Sequence, residues 1–205
     1  KNSMLSITDG QRNVAVGSFS MAMNQSNTAD GSVDNVFIGY NSGGGSWGTN
    51  ESNQNTAVGA NTMDAALDDA DDNVALGFSA LTALTQGDNN VAVGSSAGAA
   101  ITTASGNAMV GYYAGAGNVT NGGCVFIGDE AGRYTDGGGN VGIGEHAYKS
   151  SGTATDNTGA WNVAIGHSSM TAITDGDNNV AVGTNAGAES DVEDDNVFIG
   201  KDSAS

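Results

Sequence analysis

A five-residue phrase, Asn followed by three apolar or small residues and then Gly, recurs along almost the whole chain and constrains its fold more than any other feature. It begins at Asn13 (NVAVG) and returns at Asn35, Asn55, Asn73, Asn90, Asn107, Cys124, Asn140, Asn162, Asn179 and Asn196. That makes eleven copies at steps of 16 to 22 residues, 17 being the commonest. Self-similarity at such a period is the mark of stacked repeats, in which each unit covers its neighbours. A second register runs alongside. Seven residues after each anchor stands Ser, Thr or Ala, and the next position is mostly Gly, Leu or Met. Three-residue runs rich in β-branched residues are too short for helices and suit strands. Each unit is therefore expected to hold a short strand, a bend at Gly, a second short strand of small residues and a polar return turn. The fold expected is all-β: a parallel β-solenoid or β-roll of about eleven short coils over residues 13–205, after a lead-in at 1–12. At an interstrand spacing of about 4.8 Å, ten steps make a stack roughly 48 Å long.

Side chains alternate across a strand, so the residues one and three beyond the anchor share a face. The first is Val in nine of eleven copies, and the second is always Val, Ile or Leu. Columns of branched residues suit a buried ladder, which assigns this face to the coil interior. The residue between them is Ala in six copies and Phe in three (Phe37, Phe126 and Phe198), so the opposite face is apolar as well. Strands apolar on both faces are normally covered on both. So short a coil cannot fold back on itself, which assigns the Ala/Phe stripe to contact with sister chains around a long axis. The Gly four beyond the anchor is present in every copy, requiring either positive φ or a neighbouring backbone too close for a Cβ. The anchor Asn suits a turn, and stacked amides can bond from coil to coil. Cys124 replaces it once, as a small buried residue.

Composition narrows the function classes. The chain has 23 Asp+Glu against 5 Lys+Arg, a formal charge of −18, and no proline. Five cations cannot supply the positive footprint that nucleic acid demands. No apolar run reaches the length of a helical membrane span. One cysteine excludes an intramolecular disulfide framework.

The phrase N-[VT]-A-[VIL]-G-x-x-[AS]-[GLM], followed by polar turns such as Ile101-Thr102-Thr103-Ala104-Ser105-Gly106-Asn107, resembles the repeats of bacteriophage tail-fibre shafts. It is also similar to the β-roll heads of trimeric autotransporter adhesins, whose repeats are shorter. The resemblance runs from Asn13 to Gly200. It implies a non-catalytic homotrimer that serves attachment, placed on a virion or, in the adhesin case, on a bacterial surface. Its implied partners are other fibre or virion proteins and a host glycan or protein receptor. With no coiled-coil heptads and no anchor, the chain reads as one segment of a longer protein or as a processed product.

Four further features invite a site. The Gly-rich string Gly137–Gly144 is one more repeat copy, without the helix and Lys of a phosphate loop. His146 and His167 follow repeat glycines but stand far apart in sequence, with no Cys ligand pair nearby. In the turns, Asp71 and Asp88 lie two residues before consecutive anchors, as do Asp177 and Asp194. Stacked in register, such carboxylates repel by roughly 1 kcal/mol per pair in water, and oxygen-rich turns suit Ca²⁺. They are therefore the candidate cation ligands, with a solvated anionic rim as the alternative. Two of the long steps contain the only tryptophans, Trp47 and Trp161, each accompanied by a tyrosine (Tyr40 and Tyr148). Aromatics among amides and hydroxyls on loops of a rigid scaffold suit sugar faces, so these four are the candidate glycan ligands. A β-solenoid enzyme that degrades polysaccharide is the competing class, although no pair of acids is singled out for it.

Overall fold

The computed structural model describes residues 10–22, 31–150, 157–188 and 194–204. Eleven three-residue strands succeed one another, one per repeat: β1 (Val14–Val16), β2 (Val36–Ile38), β3 (Thr56–Val58), β4 (Val74–Leu76), β5 (Val91–Val93), β6 (Ala108–Val110), β7 (Val125–Ile127), β8 (Val141–Ile143), β9 (Val163–Ile165), β10 (Val180–Val182) and β11 (Val197–Ile199). They form a single sheet in chain order. Every pairing is parallel and keeps equivalent positions opposite one another, as Ala92 opposite Met109 in β5 and β6. The chain is thus a parallel β-solenoid with the 17-residue coil expected from the repeat. The described residues contain no helix, and so no helix long and apolar enough to cross a membrane.

The second strand expected in each unit does not form. Positions six and eight beyond each anchor, and the one just before it, all adopt positive φ, as at Asn41 (55°), Met63 (45°) and Asp34 (61°). Left-handed residues cannot extend a strand, and they turn the peptide planes over. Neighbouring amides therefore point alternately up and down the stack. Asn41 N–H donates to Ser18 O one coil back, whereas Gly43 N–H donates to Thr62 O one coil ahead. Coils are stitched together through these turns as well as through the strands.

The two faces are the reverse of the sequence expectation. The stripe between the branched columns points inward: Phe37, Ala57, Ala75, Ala92, Met109, Phe126, Ala164 and Ala181 are all fully buried. The branched columns lie outside, with Ile38, Val58, Leu76, Ile143 and Ile165 each 37–38% exposed. The anchor explains why. Asn and the residue two beyond it share a face, and the anchor amides occupy the interior, where they bond to one another. Asn73 Oδ1 accepts the backbone N–H of Asn90 (2.9 Å) and its amide (3.0 Å), while Asn90 Nδ2 donates to Ala104 O (2.8 Å). The same ladder links Asn35 to Asn55 and Asn162 to Asn179. A buried amide is tolerated when its donors and acceptors find partners. For Asn73 and Asn90 the adjacent coils supply them. At Cys124 the backbone N–H still donates to Asn107 Oδ1, and the buried Sγ points at Gly137 O (3.4 Å) in place of an amide.

The interior is narrow, and its two inward positions compensate for each other. In three of the four coils where the residue two beyond the anchor is large, the one eight beyond is Gly: Phe37 with Gly43, Met109 with Gly115, Phe126 with Gly132; in the last described coil Phe198 is paired with Ala204. Where it is Ala or Gly, a large side chain can take the space: Ala57 with Met63, Ala75 with Leu81, Gly142 with Tyr148. A Cβ on Gly132 would lie 2.4 Å from the Phe126 ring. Gly98, paired with Ala92, is closed in by Leu81, Ile101 and Met109 from its own and adjacent coils.

Both reasons for the bend glycine hold together. Gly111 sits at φ +140°, and a Cβ there would stand 2.2 Å from the carbonyl oxygen of Gly128 in the next coil.

Candidate functional site

The acidic turns come together as the spacing implies, but one oxygen of each carboxylate is already engaged by a backbone N–H. Asn53 N–H donates to Asp71 Oδ1 (2.6 Å), Asp71 N–H to Asp88 Oδ1 (2.9 Å) and Asp88 N–H to Ser105 Oγ (2.9 Å). At the other end of the stack, Ala160 N–H donates to Asp177 Oδ1 and Asp177 N–H to Asp194 Oδ1 (both 2.8 Å). These side chains make a second ladder, each capping the backbone of the preceding coil. The pairs Asp71/Asp88 and Asp177/Asp194 lie in opposite halves of the stack and do not share a point. Partial burial pushes the Asp71 carboxyl above its ordinary value, reinforced by the charges of Asp88, Asp69 and Asp72 and opposed by the Asn53 N–H.

That direction has a consequence for stability. A carboxyl whose folded pKa is raised destabilises the fold while ionised, and the penalty disappears as pH falls below its ordinary value of 3.8. Asp71→Asn keeps the Oδ1 acceptor, as Asn53 itself does for Val33 N–H. This variant is expected to raise Tm modestly at neutral pH and to match the unsubstituted chain below about pH 3.8, the ordinary carboxyl value. Thermal melts at pH 7 and pH 3 check both halves.

The four candidate glycan ligands divide. Trp47 and Tyr148 are core residues, each 1% exposed. Trp47 packs edge-on against Phe37 at 5.6 Å and donates its indole N–H to Gly43 O. Tyr148 stacks on Phe126 at 6.2 Å, donates its hydroxyl to Gly159 O and accepts from Asn162 Nδ2. Tyr40 (56% exposed) and Trp161 (69%) stand on the surface but on separate coils. Trp161 lays its ring over Gly139 of the adjacent coil. No aromatic platform is built from the four together.

Sequence reasoning missed a different convergence. Glu145 and His167 both follow the repeat glycine directly, in consecutive coils, so stacking places them one above the other, with His146 beside them. Among the described residues, these three are the group of His, Cys, Asp or Glu whose ligand atoms come together, all within 4.8 Å. Counting from the anchors instead of along the chain is the signal that finds them. Nearby, Glu130 forms ion pairs with Lys149 and Arg133, and its Oε2 lies 3.5 Å from His146 Nε2. Lys149 above all, then Arg133, holds the Glu130 carboxyl below the usual carboxylate range. Arg133 also stacks over the rings of Tyr113 and Tyr134.

The most extended surface feature is the double column of branched residues. It runs the length of the sheet, about 48 Å by roughly 10 Å from strand spacing and side-chain separation. An apolar patch of about 500 Å² is at the upper end of what monomeric proteins leave in water. No family model, curated protein or solved structure matches the chain.

Proposed function

We propose that the chain is a non-catalytic segment of a virion attachment fibre, in which three copies pack their Val/Ile columns against one another around a long axis. The observation that carries this reading is the unbroken apolar stripe on the outer face of an otherwise strongly acidic rod. Parallel strands are normally covered on both faces, and here one face is open along the whole length of the sheet. A second copy of the chain offers a matching stripe, and rotational symmetry brings equivalent columns together without leaving a free surface. The stitched backbone and amide ladders suit a stiff spacer. The repeat resemblance supports the fibre assignment, and a host glycan or protein is the receptor class. Of the aromatics singled out for that role, Tyr40 and Trp161 are the two available to a ligand.

Native mass spectrometry tests the assembly. The intact chain is expected at three times its 20.2 kDa mass. Ile127→Glu with Ile165→Glu, two coils apart on the exposed column, is expected to give single chains that keep the β-rich circular dichroism. A single-chain mass for the unsubstituted protein would refute the trimer. An unchanged mass for the double variant would refute this face as its contact.

A further inference from the structure

We propose that Glu145, His146 and His167 form a binding site for one divalent transition-metal ion of the zinc, cobalt and nickel group. The chain contains two histidines, and the stacking of successive coils brings both to one place from positions 21 apart in sequence. Ligand atoms around a tetrahedral ion at about 2.0–2.1 Å are about 3.3 Å apart. The three here lie within 4.8 Å of one another, so closing the set takes a movement of about 1.5 Å at most to reach that tetrahedral spacing. Glu145 and His167 are exposed, so their side chains can make that movement toward His146, which is half-buried with its ring centroid 6.0 Å from that of His167. Two imidazoles and one carboxylate select this group of metals over Ca²⁺, which takes six to eight oxygens.

The surroundings complete the arrangement. A ligating His commonly has a carboxylate beyond it to orient the ring, and Glu130 stands 3.5 Å from His146 Nε2. The two neighbouring cations, Lys149 and Arg133, are held by Glu130, while Asp129 occupies the Glu145 register one coil earlier and adds negative charge. Three protein ligands leave a fourth position to water. The ion would fasten β8's coil to β9's across one of the two 22-residue steps. The site lies within one chain and does not depend on the trimer.

Cobalt is the probe. Co²⁺ titrated into the full chain is expected to give visible d–d absorption saturating at one ion per chain, undiminished by tenfold excess Ca²⁺. Zn²⁺ is expected to raise Tm, since a ligand that binds only the folded state stabilises it. His146→Asn and His167→Asn are each expected to weaken Co²⁺ binding at least tenfold while leaving the metal-free melt and circular dichroism unchanged. Glu145→Gln is expected to weaken it less. Absent d–d bands, displacement by Ca²⁺, or equal binding by the His146→Asn/His167→Asn double variant would overturn the proposal. The double variant keeps every acid, so it isolates the site from general attraction to the rod's charge.

Discussion

Phe126→Ala and Gly132→Met are each expected to be strongly destabilising alone and largely to cancel when combined. Phe126 fills the interior of its coil with no exposed surface. Truncating it leaves a cavity, a change that costs about 3–5 kcal/mol for a buried phenylalanine. Gly132 faces that ring so closely that any Cβ meets it, and overpacking of this kind costs about 1–3 kcal/mol or more. Together the two substitutions recreate the arrangement of Ala57 with Met63, four coils earlier in the stack. Met63, Met21 and Met170 already adopt φ of 45–49° at this register, so the backbone accepts the residue. The double variant is therefore expected within about 1.5 kcal/mol of the unsubstituted chain, the usual cost of a volume-conserving exchange. Urea unfolding of the four proteins in a double-mutant cycle gives the coupling. Additive losses would show that the two positions do not share one space.

Gly111→Ala is expected to disrupt the stack at the junction of β6 and β7, while Gly200→Ala is tolerated much better. Both residues have positive φ, +140° and +120°, and an alanine at either bears backbone strain of about 1–3 kcal/mol. Gly111 stands against the next coil, whose Gly128 carbonyl lies 2.2 Å from the added methyl. Around Gly200 there is nothing within 4 Å. The difference between the two melts thus isolates the close approach from the conformational cost. Equal shifts in Tm would remove backbone contact as the reason for Gly at this register. The result extends along the rod, because every bend glycine except Gly200 stands against the equivalent glycine of the next coil.

The same features explain what could be read from the sequence. Strand positions, their order and parallel register are legible because they repeat: NVAVG or a near copy appears once per coil, and stacking identical units leaves little choice of topology. The amide ladder is legible for the same reason. The direction of the faces is not, because β-branched columns look like a core by composition. Two patterns point the other way. Asn shares its face with the Ala/Phe position and is present in ten of eleven copies, which fits a bonded interior amide better than a solvated turn. Phe or Met two beyond an anchor coincides with Gly eight beyond in the coils of β2, β6 and β7. Such reciprocity is expected only of side chains that compete for the same volume.

The candidate sites follow a similar division. Spacing brings Asp71 beside Asp88 and Asp177 beside Asp194, yet it does not reveal that backbone N–H groups already claim the Oδ1 atoms. Trp47 and Tyr148 lie in irregular steps, where sequence alone does not distinguish a surface aromatic from one that plugs a distorted coil. Tyr148 fills the space opposite Gly142, the one inward strand position without a side chain. His146 and His167 become neighbours only when position is counted modulo the repeat.

Each coil meets the coil before and the coil after it, through contacts that are nearly the same at every junction. Length is consequently a free variable of this architecture. Duplicating or excising a whole unit, with its inward pair intact, changes reach in increments of about 4.8 Å and leaves the cross-section untouched. A gene built this way carries a molecular ruler whose graduations are its own repeats.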